Sequence, residues 1–307
     1  MKLFRNPLII IFLTSSLFYS CEDTIHPDLE DADPILVVDA WLNNKLEAQE
    51  IKLTWTQPYL ENELPTGVSG ATVSVSYDGG LVTFDEDPNK PGTYRWVPTQ
   101  VTEEEVFGQI GRNYTLTVNL NGETFKATSK INRTVSIDSV TFKFEETSPE
   151  FPKDSYTAEF WATEPAGSGD TYWIKGYKNG VLLNKPSEII IAYDAAFSAG
   201  GNFDGVTFIP PIRSVNADEV DQDDKQLSPY QPGDSLYVEV YSTTLEAYTF
   251  LNEVIIQTDR PGGFAELFAT PLANVSTNIV NLDPNGSDVV GFFNVSAVSG
   301  KGAKLKE

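Results

Sequence analysis

The stretch NYTLTVNLNGETFKATSKI, residues 113–131, decides the fold class of this chain. Apolar and polar residues alternate on both sides of Asn121-Gly122, and a period of two is typical of half-buried β-strands. The Asn-Gly pair favours the positive backbone φ angles that a two-residue type I′ turn requires. The stretch therefore predicts a β-hairpin with strands over 113–120 and 123–131.

Strand patterns also precede this hairpin, at intervals typical of an all-β domain. Runs rich in β-branched and aromatic residues, separated by turn residues, lie at 35–43, 50–57, 71–77, 81–84 and 93–97. Short strands with turns every 8–12 residues, over about 100 residues, are characteristic of a sandwich. We therefore expect residues 35–133 to form a β-sandwich of the immunoglobulin or fibronectin type III kind.

A larger β-rich domain is predicted from residue 134 to residue 307. Further strand patterns lie at 136–145, 155–163, 171–180, 233–242 and 289–299. After Thr243, apolar residues recur at helical spacing until Pro261, which predicts one amphipathic helix near 244–258. Thr243 and Glu246 have the spacing of a capping box. The expected fold is thus mainly β, with an N-terminal sandwich and a C-terminal domain that carries one helix.

The first residues carry a targeting pattern. Lys2 and Arg5 precede the apolar run LIIIFLTSSL of residues 8–17, which is typical of a secretory signal and shorter than the about 20 residues that span a bilayer. The run ends at Ser20 and Cys21, the only cysteine of the chain. We expect cleavage after Ser20 and acylation of Cys21, as in a lipoprotein; a plain secreted chain with an ordinary buried thiol is the alternative.

The segment after the cleavage site is acidic and rich in proline. Residues 21–34 are therefore predicted to form a solvated tether, which reaches about 40 Å when fully extended. Removal of residues 1–20 takes away two of the 21 basic residues and none of the 44 acidic ones, so the net charge becomes −25. Such a surface repels phosphodiester backbones, and we expect no nucleic-acid binding.

Residue counts exclude most catalytic constellations. His26, the only histidine, lies in the tether, so the folded body has no Ser-His-Asp triad and no histidine-rich metal site. Cys21 is consumed by acylation. Carboxylate pairs remain, and they keep a carboxylate-dependent glycan hydrolase open as an alternative. We predict no catalytic residue, no cofactor and no enzymatic activity.

Recognition is predicted in the irregular part of the second domain. Long segments without a regular period are frequent sites of binding in compact β domains. The candidate contacts with a ligand or partner are Tyr193, Phe197, Phe203, Phe208 and Tyr230, with burial in the core as an equal alternative. For the strand aromatics Trp161, Tyr172, Trp173 and Tyr177, core burial is the favoured interpretation.

The same part of the chain contains an acidic loop. Its carboxylates are hard oxygen ligands of the type that calcium prefers. The weak calcium candidates are Asp218, Asp221, Asp223 and Asp224. They do not complete an EF-hand, so a solvated loop is the favoured interpretation and no metal is predicted.

Several short blocks resemble a known family. In the first half they are Gly111-x-x-Tyr114-x-Leu116-x-Val118, Phe125-x-Ala127 and Ile137-Asp138-Ser139-Val140; in the second half, PLANVSTNI at 271–279 and GFFNVSA at 291–297. On these blocks the chain resembles the Bacteroidota outer-membrane lipoproteins grouped as domain of unknown function 4249. The resemblance covers nearly the whole mature chain.

The resemblance implies a location and a partner, and it transfers no catalytic residue. Lipoproteins of this family tend to be encoded beside TonB-dependent (SusC-like) receptors. This implies an accessory subunit of such a receptor, lipid-anchored in the outer membrane and aiding ligand capture or uptake. The acidic residues directly after Cys21 resemble the export signals of surface lipoproteins, so we expect the protein to face the cell surface, with a periplasmic position as the alternative. A structural subunit of an outer-membrane assembly or export complex is the alternative.

Overall fold

In the computed structural model the protein is mainly β, as the strand patterns predict. The structure describes residues 33–58, 61, 63–98, 107–147, 154–197, 204–222 and 225–306, and sixteen strands lie among them. The predicted signal peptide, residues 1–20, and nearly all of the predicted tether, residues 21–34, lie outside this part. Acylation of Cys21 therefore stays a prediction.

Nine strands form one sheet, called sheet 1. They are β1 (Leu36–Asn43), β2 (Gln49–Trp55), β3 (Thr72–Tyr77), β4 (Gly80–Glu86), β5 (Thr93–Trp96), β6 (Asn113–Leu120), β7 (Glu123–Lys130), β14 (Val280–Asn281) and β15 (Val289–Ser296). Their spatial order is β14-β7-β6-β3-β4-β5-β2-β1-β15. Alternate residues point to one face, where Val38, Ile51 and Leu116 are buried in a common core.

The hairpin predicted over 113–131 is confirmed. β6 and β7 pair from Asn113 opposite Lys130 to Leu120 opposite Glu123. Their turn has positive φ at both central residues, 52° at Asn121 and 87° at Gly122, as a type I′ turn requires.

The first strand of sheet 1 pairs with a strand near the end of the chain. β1 and β15 run parallel, from Leu36 opposite Val289 to Asn43 opposite Ser296. Phe293 of β15 is consequently buried in the core of sheet 1. This pairing corrects the predicted domain division at residue 133, because residues 34–307 form one compact unit and a late strand completes the first sheet. An immunoglobulin-like sandwich made of residues 35–133 alone is not confirmed.

The two margins of sheet 1 approach each other, so that the sheet is nearly closed. Asn278 spans the gap beside β15: its Nδ2 donates to the Phe293 carbonyl at 2.8 Å, and its Oδ1 accepts from the Phe293 N–H at 2.9 Å. Farther along, the Val295 N–H donates to Ser129 Oγ on β7 at 3.0 Å. Side chains thus replace a backbone ladder at this junction.

A smaller sheet and a hairpin surround the second core. Sheet 2 contains β10 (Thr171–Lys178), β11 (Val181–Leu182), β12 (Ile190–Tyr193), β13 (Ser235–Thr243) and β16 (Val298–Lys304). The hairpin consists of β8 (Ile137–Glu145) and β9 (Ser155–Ala162), and a short helix, α1 (Pro210–Arg213), lies beside β9. The pattern at 289–299, predicted as one strand, is divided at Ala297, where the chain passes from sheet 1 into sheet 2.

Aromatic rings and a buried carboxylate join the two sheets. Trp41, on the outer face of β1, meets Trp173 of β10 with 5.1 Å between ring centroids. Glu239 of β13 is buried, and its Oε1 accepts from Lys45 Nζ at 2.9 Å. Lys175 Nζ lies 3.7 Å from the centroid of a Trp173 ring, and burial lowers the pKa of Lys175 to about 8. The contact between the sheets is therefore largely dehydrated.

The helix predicted near 244–258 is confirmed as α2 (Leu245–Thr258). Its N-cap is Thr244, whose side chain accepts from the Ala247 N–H at 3.1 Å. The predicted capping box between Thr243 and Glu246 is wrong, because Thr243 ends β13 and its hydroxyl donates to Thr171. Within the described ranges, no helix is long and apolar enough to cross a membrane.

Helix α2 runs along the outer face of sheet 1. At its start the Thr244 N–H donates to Asn294 Oδ1 at 3.2 Å, and farther along Phe250 packs on Phe292 with 4.7 Å between ring centroids. The start of β15 pairs with the start of β1, so this direction leads toward residue 34. We call that end of sheet 1 the proximal end, and the opposite end the distal end.

The pairing of β1 with β15 predicts a large effect of Gly291→Ala. Gly291 has a φ of 109°, and a Cβ there would lie 2.1 Å from the Val38 carbonyl oxygen. Since only strand separation relieves this clash, we expect the free energy of unfolding in urea to fall by about 3 kcal/mol or more. The control is Gly233→Ala, with a φ of 99° and no atom within 4 Å of the added Cβ, which should cost about 1–2 kcal/mol. Equal losses would contradict the assigned register.

Candidate functional site

A cleft lies at the distal end of sheet 1, between the β3–β4 turn and the segment that leads into β6. It encloses about 580 Å³, which is within the usual range for a small-molecule site. The residues that line it are Ser76, Tyr77, Asp78, Gln109, Ile110, Gly111, Arg112, Asn113 and Thr115. They come from two segments that the pairing of β3 with β6 brings together.

Backbone hydrogen bonds fix the wall that carries Arg112. The Gly111 N–H donates to the Ile131 carbonyl at 2.9 Å, and the Ile131 N–H donates to the Arg112 carbonyl at 3.1 Å. Gly111 has a φ of 85°, a conformation that an L side chain would strain. The turn is thus held against the end of β7, and the Arg112 guanidinium lies 5.0 Å from the centroid of the Tyr77 ring.

Tyr77, which lines the cleft, packs on a cluster of buried aromatic rings. The rings of Tyr77 and Tyr114 are 6.0 Å apart, and Phe107 packs on Tyr114 at 5.4 Å. Burial raises the pKa of the Tyr114 phenol, and the nearby Arg112 guanidinium partly offsets this shift. Tyr114 therefore stays a neutral hydroxyl at physiological pH, in the core behind Tyr77.

The walls of the cleft offer hydrogen-bond donors and acceptors. Arg112 supplies a cationic donor, Gln109 and Asn113 supply amides, and Asp78 supplies a carboxylate. Ser76 and Thr115 add hydroxyl groups. Such a lining suits recognition of a polar molecule, and the residues described there include one acid, Asp78.

The structure corrects two of the predicted contact residues. Phe208 is fully buried and packs on Phe160 with 5.5 Å between ring centroids. Tyr230 is fully buried as well, and its hydroxyl donates to the Val215 carbonyl at 2.6 Å. Both belong to the second core, so neither is accessible to a ligand.

The other predicted contact residues lie apart from the cleft. Tyr193 ends β12 half-buried, with its ring against Tyr248 at 6.1 Å. Phe197 is exposed, and its carbonyl accepts from the Tyr248 hydroxyl. Phe203 lies outside the described residues. Tyr193 and Phe197 stay candidates for a contact, but they line no part of the distal cleft.

The calcium candidates that the structure describes have partners within the protein. Asp218 Oδ2 accepts from Ser187 Oγ at 2.5 Å, and Asp221 Oδ1 accepts from the Lys225 N–H at 3.0 Å. Asp223 and Asp224 lie outside the described residues. Over the described ranges, no group of three acidic, histidine or cysteine side chains has the geometry to hold a metal ion.

One buried carboxyl group has the raised pKa that a glycosidase acid requires. Glu164 is 2% exposed; its Oε1 accepts from the Tyr172 hydroxyl at 2.9 Å, and its Oε2 has no hydrogen-bond donor among the described residues. Burial, with the Asp170 carboxylate nearby, raises the pKa of Glu164 to about 8. Asp170 itself binds Arg133 Nε at 2.8 Å. Because Glu164 is inaccessible and does not line the distal cleft, this arrangement does not present an acid to a sugar.

Sequence patterns did not reveal the cleft or the Glu164 cluster. Asp78 and Arg112 are distant in sequence, and only the register that places Tyr77 opposite Tyr114 brings them together. The local signal for this wall of the cleft is the polar pair Arg112-Asn113, which follows Gly111 at the start of a predicted strand. Glu164 carries no local signal, since its burial depends on neighbours from other strands.

Comparison with known proteins identifies a family for most of the chain. The family model described as "Domain of unknown function (DUF4249)" matches residues 22–301. No curated protein matches the chain.

The Glu164 cluster predicts that Glu164→Gln stabilises the protein at alkaline pH. In the unfolded chain this carboxyl loses its proton near its ordinary pKa of 4.5, whereas the folded protein holds the proton up to about pH 8. The parent therefore loses stability as the pH rises from 4.5 to about 8, and an amide at this position does not. In urea, we expect the variant to exceed the parent by about 1 kcal/mol or more at about pH 8.5 and to match it at about pH 4.

The control for this prediction is Glu63→Gln, which changes an exposed carboxyl group. An equal gain at about pH 8.5 from this variant would show that the stabilisation is not specific to position 164. A stabilisation by Glu164→Gln that is equal at both pH values would show that the effect does not come from the buried proton.

Proposed function

The chain belongs to the DUF4249 family, and on this premise we propose that it is a non-enzymatic, lipid-anchored accessory subunit of a TonB-dependent outer-membrane receptor. Cys21 is its anchor, and the distal cleft binds the ligand that the receptor takes up. The observation that carries the proposal is the position of the cleft, at the end of sheet 1 opposite residue 34. A chain anchored through its N-terminus at the cell surface can present such a cleft to the medium.

The lining of the cleft supports a neutral, hydroxyl-rich ligand such as an oligosaccharide. Hydroxyl groups both donate and accept hydrogen bonds, and the walls contain the donor Arg112 and the acceptor Asp78 on opposite segments. The protein is strongly acidic, with 44 acidic residues against 21 basic ones, so polyanionic ligands are disfavoured.

The proposal of a binding role, instead of catalysis, rests on where the titratable groups lie. The carboxyl group with the strongly raised pKa, Glu164, is buried away from the cleft. The only histidine of the chain, His26, falls in the predicted tether.

A pull-down from detergent-solubilised outer membranes tests the partner. The full-length lipoprotein, expressed in a bacterium of its native type and carrying a C-terminal tag, is expected to recover a TonB-dependent receptor identified by mass spectrometry. Recovery of outer-membrane assembly or export factors, without a receptor, would overturn the proposal in favour of a structural subunit.

Arg112→Ala is expected to weaken ligand binding at the cleft. Loss of a charge-assisted hydrogen bond should lower the affinity for the best-binding member of a neutral oligosaccharide panel by about tenfold or more, measured by isothermal titration calorimetry. Lys90→Ala is the control, because it removes the same charge from an exposed turn between β4 and β5, at the proximal end. Equal affinities of both variants and the parent would show that the cleft is not the binding site.

Cys21→Ala is expected to release the protein from the membrane. Two or three acyl chains hold a protein to a bilayer almost permanently, and their loss removes this anchor. Cell fractionation with metabolic labelling by a fatty acid measures the effect. Continued fatty-acid incorporation by the variant would refute the proposed anchor.

A further inference from the structure

Large apolar side chains protrude from the proximal end of sheet 1. They come from three separate segments: the loop after β2, the 3-10 helix Gly263–Phe268 that follows α2, and the residue after β14. The exposed fractions are 93% for Leu64, 78% for Phe264, 75% for Leu267, 79% for Phe268 and 55% for Leu282. We call these five residues the apolar rim. Several large exposed apolar side chains at one end of a sheet are typical of a contact surface.

Polar contacts hold the 3-10 helix of the rim in place. Arg260, just after α2, binds the Glu266 carboxylate and donates from Nη1 to the Thr270 carbonyl at 2.9 Å. Both charged side chains are thereby turned toward the protein, while Phe264 and Phe268 pack edge to face in the solvent, 5.6 Å apart. In this 3-10 helix the apolar side chains face the solvent and the charged ones face the protein, which is the reverse of the usual arrangement.

The direction of α2 determines where the 3-10 helix Gly263–Phe268 lies. Glu253 of α2 accepts from the Ser276 N–H at 2.6 Å, and the neighbouring Thr277 hydroxyl donates to the Gly291 carbonyl near the start of β15. Helix α2 therefore ends at the proximal end, and the 3-10 helix follows it there. Residue 34, where the tether joins the folded body, lies at the same end.

We infer that the apolar rim inserts into the lipid surface that holds the acyl chains of Cys21. This inference rests on the proposed acylation of Cys21. The chain from Cys21 to residue 34 reaches at most about 40 Å, so the proximal end stays close to the bilayer. Phenylalanine and leucine side chains are well suited to the boundary between headgroups and acyl chains.

The shape and charge of the rim fit a lipid surface better than a protein groove. Exposed fractions of 55% to 93% mean that the five side chains project from the protein surface, which a soft bilayer can accommodate together. Arg260 pairs with Glu266, so residues 260–268 carry no net charge. The acidic balance of the whole chain disfavours anionic membranes, and zwitterionic phosphatidylethanolamine or phosphatidylcholine is the expected lipid.

Fluorescence quenching tests this inference. The processed lipoprotein carrying Phe268→Trp is reconstituted into phosphatidylcholine vesicles that contain brominated acyl chains, which quench tryptophan on contact. The fluorescence of the added tryptophan, taken as the difference from the parent, should fall at least twofold relative to vesicles without bromine. Leu81→Trp is the matched control: Leu81 is an exposed apolar residue at the distal end, and its replacement should show no such loss.

Flotation of the same vesicles separates failure of the inference from failure of the anchor. If the protein floats with the vesicles and Phe268→Trp is not quenched, the rim does not contact lipid and the inference is overturned while the anchor stands. If the protein does not float, the proposed anchor itself fails. Shielding of this tryptophan from acrylamide in native membranes, but not in vesicles, would instead assign the rim to a protein partner and would also overturn the inference.

A second measurement does not depend on acylation. The Cys21→Ala protein, produced without residues 1–20, should partition weakly into phosphatidylcholine vesicles, and the added changes Phe264→Ser, Leu267→Ser and Phe268→Ser should lower its partition coefficient by about tenfold or more. These positions are exposed, so the substitutions should leave the thermal unfolding midpoint unchanged. An unchanged partition coefficient would contradict a role of the rim at the membrane.

Discussion

The parallel pairing of β1 with β15 is the contact on which the rest of the structure depends. It joins Leu36 to Val289 and thus needs nearly the whole chain before it can form. Until it forms, the core of sheet 1 lacks Phe293 and Val295. Contacts between residues so distant in sequence carry a large loop-closure entropy, and folds that contain them assemble slowly. The same segment passes into sheet 2 at Ala297, so one pairing positions both sheets.

Polar side chains complete the structure where backbone ladders end. Asn278 and Ser129 form hydrogen bonds with backbone groups along the edge of β15 that has no partner strand among the described residues. Glu239 accepts a hydrogen bond from the charged Lys45 where the two sheets meet. The chain has a single cysteine, so no intramolecular disulfide can supply this stabilisation. Neutral hydrogen bonds contribute about 0.5–1.5 kcal/mol each, and those to charged groups about 1.5–3 kcal/mol. Glu164 is different, because burial raises its pKa to about 8 and its carboxyl group therefore stays protonated and uncharged in the interior.

The two ends of sheet 1 differ in chemistry in a way that suits a tethered receptor subunit. The distal end has a cleft with charged and amide walls, fixed by the hydrogen bonds around Gly111. The proximal end has protruding apolar side chains, fixed by Arg260. A molecule held at the proximal end by lipid would orient the cleft outward without any hinge.

The local elements could be predicted from the sequence, because each depends on neighbours in the chain. The alternation around Asn121-Gly122 predicted the hairpin, and the spacing after Thr243 predicted α2 to within a residue or two. The family could be recognised from short blocks, one of which contains Asn278 and Ile279 at the junction that closes sheet 1. Net charge and residue counts also restrict the possible chemistry, because they depend on composition alone.

Only the tertiary structure decided which strands are partners and which side chains are accessible. A period of two marks a half-buried strand but names no neighbour, so the pattern at 289–299 did not show that it serves both sheets. For Phe208 and Tyr230 the sequence left contact and burial as equal alternatives, and the tertiary structure decides for burial. Asp78 and Arg112 line one cleft only because β3 pairs with β6. Local sequence encodes backbone preference, whereas burial and proximity are set by contacts between distant parts of the chain.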